Sequence, residues 1–248
     1  MGLPWPTSGA HARILRAPNP AIDSGRSPPY DEPMSHAPEN SRAPTYADIQ
    51  ALPPHVVGEI LNGELVVSPR PAMPHAEAAS NLGALLGTRF VFGVGGPGGW
   101  RILHEPELSL AVDPRFDPVV PDLAGWRIEV MPERLQTAQV HIAPQWLCEV
   151  LSPGTQMRDR TLKLPFYARA GVAHVWLVDP IAEILEVFAL DGERWVLVGH
   201  YGGDDVVHAE PFEAVPLELS WVWGRRPTPP PETPPASEGP CQTPAVRT

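Results

Sequence analysis

The sequence predicts a mixed α/β (α+β) domain, a β-sheet flanked by helices with additional β-hairpins. Three observations carry that reading. Apolar runs of strand length alternate with two segments of helical period, the pattern of a layered α/β or α+β domain. Asn62-Gly63 and Asp191-Gly192 each join two apolar runs, the strongest short-range hairpin signal. Seventeen of the 34 prolines lie in residues 1–44 and 225–248, which leaves 45–224 for one fold.

The elements follow in order. Thr45 to Leu52 reads as a short helix, with Thr45 as N-cap and Asp48 in the capping-box position. EILNGELVV (59–67) is a hairpin. From His75 to Phe90, Ala78, Leu82, Leu85, Leu86 and Phe90 recur at helical spacing. GVGGPGG (93–99) is a turn; without a following G-K-[ST] it is not a phosphate loop. Strands are expected over 107–112, 119–126 and 145–151, then a helix within 156–170 interrupted or begun by Pro165. Strands over 174–179, 183–190 and 194–201 complete the domain. The Pro-rich ends, 1–44 and 225–248, lack apolar periodicity and are expected to be disordered extensions.

Composition narrows the function. Cys148 and Cys241 are the two cysteines, too few and too far apart for a disulfide scaffold or a thiolate zinc site. No apolar run approaches the ~20 residues that span a bilayer, and no signal-peptide pattern opens the chain. The expectation is a soluble cytoplasmic protein with no membrane partner. The net charge is −11, and residues 45–224 set 11 cations against 23 acids. A general nucleic-acid coat or a membrane-surface helix is basic, so any work on nucleic acid needs a local site with a bound cation.

Three residues stand out. In QWLCEVL (145–151) Glu149 is the one charge in a strand apolar on both faces, costly there unless paired or holding a metal. A solvated strand end before Ser152-Pro153 is the alternative. Asp122 interrupts VVPDLAGW in the same way, although an Asp after Pro also fits a turn. If the two strands pair, the carboxylates converge, and their repulsion favours a divalent cation between them. Oxygen ligands without a Cys or His cluster suit Mg²⁺ or Mn²⁺. The third is Lys163, the one lysine among 18 basic residues. It is either a chance survivor or a site that needs a compact ammonium rather than a guanidinium fork.

SPGTQMRDRTLKLPFYARAGVAHVWLVDP (152–180) resembles the signature segment of the Uma-two-type restriction endonuclease family, within the PD-(D/E)XK nuclease superfamily. EILNGELVVSPRPAMPH (59–75) and VVPDL (119–123) resemble it too, in the same order. The likeness covers about residues 45–222. It implies a restriction-endonuclease-like fold and metal-dependent hydrolysis of phosphodiester bonds in DNA. By position, Asp122 is the acid of the P-D motif and Glu149 the second acid, both metal ligands. The chain departs from the E-x-K spacing, because Leu151 stands two residues after Glu149. Lys163 then serves as a migrated catalytic lysine reaching in from the helix.

Glu59 and His75 match further recurring positions and are secondary candidates, against a solvated hairpin glutamate and a helix-start histidine. Asp159 reads as an ion-pair partner of Arg158 or Arg160, or as an orienter of Lys163. Asp179 reads as a turn residue, and Trp146, Trp176 and Tyr167 as core. Ser152 lacks the G-x-S-x-G context of a serine hydrolase. Two rival functions stay open: a non-catalytic interaction module that keeps the nuclease fold, and a nuclease acting on RNA. A two-fold homodimer is an expectation by analogy with double-strand cutting. Lys163→Arg and Lys163→Met are both expected to fold normally.

Overall fold

The computed structural model describes residues 42–68, 70–132 and 135–225. The expectations for the two Pro-rich ends fall almost entirely outside these residues. The described chain opens with helix α1 (Tyr46–Gln50), where Asp48 accepts from the Thr45 N–H at 2.7 Å. Strands β1 (Val57–Leu61) and β2 (Glu64–Ser68) form a separate two-stranded sheet. Asn62 and Gly63 both have positive φ, as a tight two-residue hairpin turn requires. Helix α2 (Met73–Leu86) runs on into a π-helical turn, Gly87–Val91.

Next come β3 (Trp100–His104), β4 (Glu107–Leu108), β5 (Leu123–Arg127), β6 (Gln139–Val140) and β7 (Trp146–Val150). A crossover of α3 (Gln156–Arg158), a π-helical turn (Asp159–Lys163) and α4 (Leu164–Arg169) leads to β8 (His174–Asp179). Then follow β9 (Ile184–Asp191), β10 (Arg194–Gly202), β11 (Val206–Val207), β12 (Leu217–Glu218) and α5 (Leu219–Val222).

The main sheet has six strands in the order β10-β9-β8-β7-β5-β3. Only β7 and β8 are parallel. A parallel pair needs a crossover connection, which the helical segment 156–169 supplies. Pro165 lacks the N–H that a regular helix would use, and the widened π-helical turn directly precedes it.

Two expected strands are shorter in the structure, the main sheet gains β3, and the two-residue strands β6, β11 and β12 are added outside it. The 107–112 run keeps only Glu107–Leu108, because Ala111, at φ 54°, turns the chain away. The 119–126 run becomes a strand only from Leu123. Pro121 can donate no ladder hydrogen bond, and Val119 makes only an isolated bridge to Leu108. Strand β3 was not expected: its WRILH sequence is short and half-buried at a sheet edge.

β7 is buried along its whole length. Trp146, Cys148 and Val150 join the core under α2, with Leu82, Leu86, Trp176 and Phe212. Leu147 joins the opposite core, with Phe166, Tyr167 and Leu177 beneath the crossover. By the two-residue period of a strand, Glu149 shares the face of Leu147 and points toward the crossover.

The first core is centred on Phe212. Its ring centroid lies 4.7 Å from Phe90, 4.8 Å from Trp100, 4.9 Å from Trp146 and 5.6 Å from Trp176. Phe212→Ala removes a shared contact of four aromatic rings and is expected to cost about 3–5 kcal/mol. Denaturant unfolding checks this; a loss below about 1 kcal/mol would mean that the core closes over the gap.

Candidate active site

The sheet register builds the site. β5 runs antiparallel to β7, with Leu123 opposite Cys148. One step further along the ladder, Asp122 faces Glu149. Asp122 thus lies just before its strand rather than inside it. Its Oδ2 accepts the Val150 N–H at 2.7 Å, which ties it to the neighbouring strand end. Glu149 is only 3% exposed, so it is not a solvated strand-end residue.

Lys163 reaches the same point from the crossover. It is 4% exposed, and its Nζ lies 3.3 Å from Glu149 Oε1 and 2.9 Å from Glu59 Oε1. The Nζ also donates to the Val120 carbonyl at 3.2 Å. The π-helical turn that carries Lys163 carries buried Asp159 too, whose Oδ1 is 3.9 Å from Nζ. Asp159 therefore pairs with neither Arg158 nor Arg160; Arg160 pairs with Glu186 instead.

Glu59 arrives from the hairpin. It is buried, and its Oε1 accepts the Val120 N–H at 2.8 Å. The sequence reading set it against a solvated hairpin glutamate, and its burial excludes that alternative. His75, in the first turn of α2, has Nε2 3.2 Å from Asp122 Oδ1. Its Nδ1 is buried without a partner among the described residues.

Tyr167 adds a contact that the sequence reading missed. Its ring is core, as expected, but its hydroxyl donates to Glu149 Oε1 at 2.5 Å. The signal was available in the spacing: Tyr167 follows Lys163 by four residues, one helical turn on. The other singled-out residues lie apart from this chemistry. Asp179 Oδ1 accepts the Ile181 and Ala182 N–H groups in a turn, and the Ser152 hydroxyl meets that of Thr155. Trp146 and Trp176 are fully buried, edge to face.

Three carboxylates (Glu59, Glu149 and Asp159) thus share one ammonium, and the fourth, Asp122, pairs with His75. Burial, with Asp159, Asp122 and Glu59 nearby, holds the Glu149 carboxyl well above its ordinary range despite Lys163. Asp159 is raised first by burial and further by Asp122 and Glu59. Burial opposes the charge of Lys163, but Glu149, Glu59 and Asp159 together push its pKa upward. Burial likewise opposes protonation of His75, and the hydrogen bond and charge of Asp122 raise it net. Burial first, then Glu149, raises the Tyr167 hydroxyl.

Glu59, His75, Asp122, Glu149, Asp159 and Lys163 line one cleft of about 790 Å³ between the hairpin, the start of α2 and the crossover. Among the described residues no three His, Cys, Asp or Glu side chains converge closely enough to cage a metal ion. No described helix is long and apolar enough to cross a membrane.

The burial of Lys163 corrects one expectation. Lys163→Met leaves buried carboxylates without their cation, a loss of about 3–5 kcal/mol rather than a neutral surface change.

A mixed sheet with acids at the facing ends of two adjacent strands, and a lysine beside one of them, is a restriction-endonuclease-like arrangement. The chain belongs to the Uma2 family, whose model, described as "Putative restriction endonuclease", matches residues 44–221. A crystal structure from Anabaena variabilis, described as a putative nuclease belonging to DUF820, is similar to it at a TM-score of 0.55. The two share 18% identity over 68% of this chain and 90% of that one, a likeness of fold. No curated protein matches the chain significantly in sequence.

The shifts fix a direction for pH. Acids raised on folding, and a histidine raised on folding, both bind protons more readily in the native state. The metal-free protein is therefore expected to gain stability as pH falls through neutrality, because Glu149, Asp159 and His75 bind protons more readily folded than unfolded. Glu149→Gln is expected to flatten that dependence. Chemical unfolding at several pH values in EDTA checks it; a stability that rises toward pH 8 contradicts the assignment.

Proposed function

We propose that the protein is a divalent-metal-dependent endonuclease that hydrolyses phosphodiester bonds in DNA. The observation that carries this reading is the position of Lys163 Nζ, 3.3 Å from Glu149, at the strand ends where Asp122 and Glu149 meet. The superfamily's lysine is expected two residues after the second acid, on the strand. Here Leu151 stands at that position, and the crossover brings the Lys163 ammonium to Glu149 instead.

The residues fit a hard divalent cation such as Mg²⁺ or Mn²⁺. The donors are carboxylate oxygens, and Glu59, Glu149 and Asp159 outnumber the one ammonium buried among them, an excess of negative charge that is costly there. Asp122 and Glu149 are the residues that would hold it. Such a cation, when bound, supplies positive charge for a phosphoryl oxygen and makes a water molecule more acidic.

The chain's own residues divide the remaining tasks. Lys163 orients the attacking water and offsets charge developing on the phosphate oxygens. Tyr167 donates to Glu149 and fixes the direction in which its second oxygen points. His75 does the same for Asp122, whose other oxygen the Val150 N–H already holds. Glu59 and Asp159 flank Lys163 and keep it charged at every working pH.

Nicking of supercoiled plasmid tests the reading. Mg²⁺ or Mn²⁺ is expected to support cleavage and EDTA to stop it. Asp122→Ala and Glu149→Ala are expected to abolish it. Lys163→Arg keeps the charge but not its shape, and is expected to lose about 10²-fold in rate, as for removal of a transition-state donor. Melting temperatures measured alongside separate lost chemistry from lost folding. Parallel assays on RNA test the substrate. No metal-dependent cleavage of any nucleic acid would leave the non-catalytic interaction module as the better account.

A further inference from the structure

We infer that Arg70 and Arg158 form a phosphate clamp at the mouth of the acidic cleft, gripping the sugar-phosphate backbone of a nucleic-acid strand. The inference rests on the nuclease reading for its substrate class, and it goes beyond that reading by naming residues that bind rather than react.

Most arginines of the described chain are already engaged. Arg42, Arg115, Arg160, Arg169 and Arg225 pair with carboxylates. Arg89 and Arg101 donate to backbone carbonyls, and Arg127 lies over the Trp100 ring. Among the described residues, Arg70, Arg158 and Arg194 alone make no such contact. Two of these three line the same cleft. They come from separate parts of the chain: Arg70 from the link between β2 and α2, Arg158 from the last residue of α3.

Their freedom is notable because acids are abundant around them. Glu59, Glu105, Asp122, Glu149 and Asp159 line the cleft as well, and the whole chain carries a charge of −11. A polyanion approaching this surface is repelled unless cations meet it near the opening. A guanidinium held outside an ion pair keeps its planar fork available for two phosphate oxygens. Engaging phosphates on either side of the reacting one would hold the strand in register, and neither arginine would touch the reacting atoms. Both contacts are to backbone, so they carry no sequence preference.

Fluorescence anisotropy with labelled single-stranded DNA, duplex DNA and RNA oligonucleotides tests the clamp on the full chain, in EDTA and in Ca²⁺. Arg70→Ala and Arg158→Ala are each expected to weaken binding about tenfold, as for a lost charge-assisted hydrogen bond. Each is expected to reduce the slope of log K against log salt by about 0.7–0.9. Arg194→Ala, outside the cleft, is expected to bind as the wild type does, and melting temperatures should not move. The probes that respond separate DNA from RNA as the source of the phosphates.

Wild-type affinity in both cleft variants overturns the clamp, as does an equal loss in Arg194→Ala. Absence of wild-type binding to every probe overturns it too. Plasmid nicking judges the nuclease reading separately. Weakened variants without any wild-type cleavage keep the clamp and remove the nuclease, whereas metal-dependent cleavage with unchanged variant affinities does the reverse.

Discussion

One buried ammonium allows three parts of the chain to meet. Glu59 comes from a hairpin, Glu149 from the central strand, and Asp159 from the crossover helix. Each is almost fully buried, and a buried carboxylate without a counter-charge costs several kcal/mol. Lys163 Nζ stands within 4 Å of all three. It also donates to the Val120 carbonyl, two residues before Asp122, so the P-D segment is pinned to the same point. The hairpin, the central strand and the crossover are therefore held around the cleft by one charge. This explains how a chain so rich in arginine keeps its single lysine here: a guanidinium is wider and planar, and would push the three carboxylates apart.

The same arrangement leaves an imbalance. One ammonium cannot neutralise three buried acids, and the imbalance shows in the raised carboxyls of Glu149 and Asp159. At the facing strand ends, Asp122 and Glu149 are the pair proposed to hold a hard divalent cation. The excess charge that costs stability in the metal-free chain is what a divalent ion would draw on when it binds. Arg70 and Arg158 line the same cleft as these acids, which is why they are proposed as its phosphate contacts.

Much of the fold was legible because hydrophobic patterning is strong in its centre. WLCEV and HVWLVD have few polar residues, and each became a buried strand with nearly the expected bounds. The Asn62-Gly63 turn required positive φ at both positions and has it. The misses have physical reasons too. β3 sits at a sheet edge, where one half-exposed WRILH run carries little signal. Asp122 looked like a strand interior because Val119 and Val120 are apolar, but those residues pack against β4 and the hairpin instead of entering the sheet. In the site, Asp122 and Glu149 were legible as charges in apolar surroundings, and Lys163 as a compositional oddity. The bond from Tyr167 had only its four-residue spacing from Lys163 as a signal, and a tyrosine in an apolar stretch looks like core until the fold shows what its hydroxyl meets.

The account turns on whether the strand-end carboxylates take up a divalent cation. The melting temperature measured across a Mn²⁺ or Mg²⁺ titration addresses this without any assumption about substrate. Ligand that binds only the native state stabilises it in proportion to the logarithm of its concentration above Kd. The wild type is predicted to show a rising melting temperature that EDTA reverses, and Asp122→Ala is predicted to show none. An unchanged wild-type melting temperature, or an equal rise in Asp122→Ala, would contradict the account.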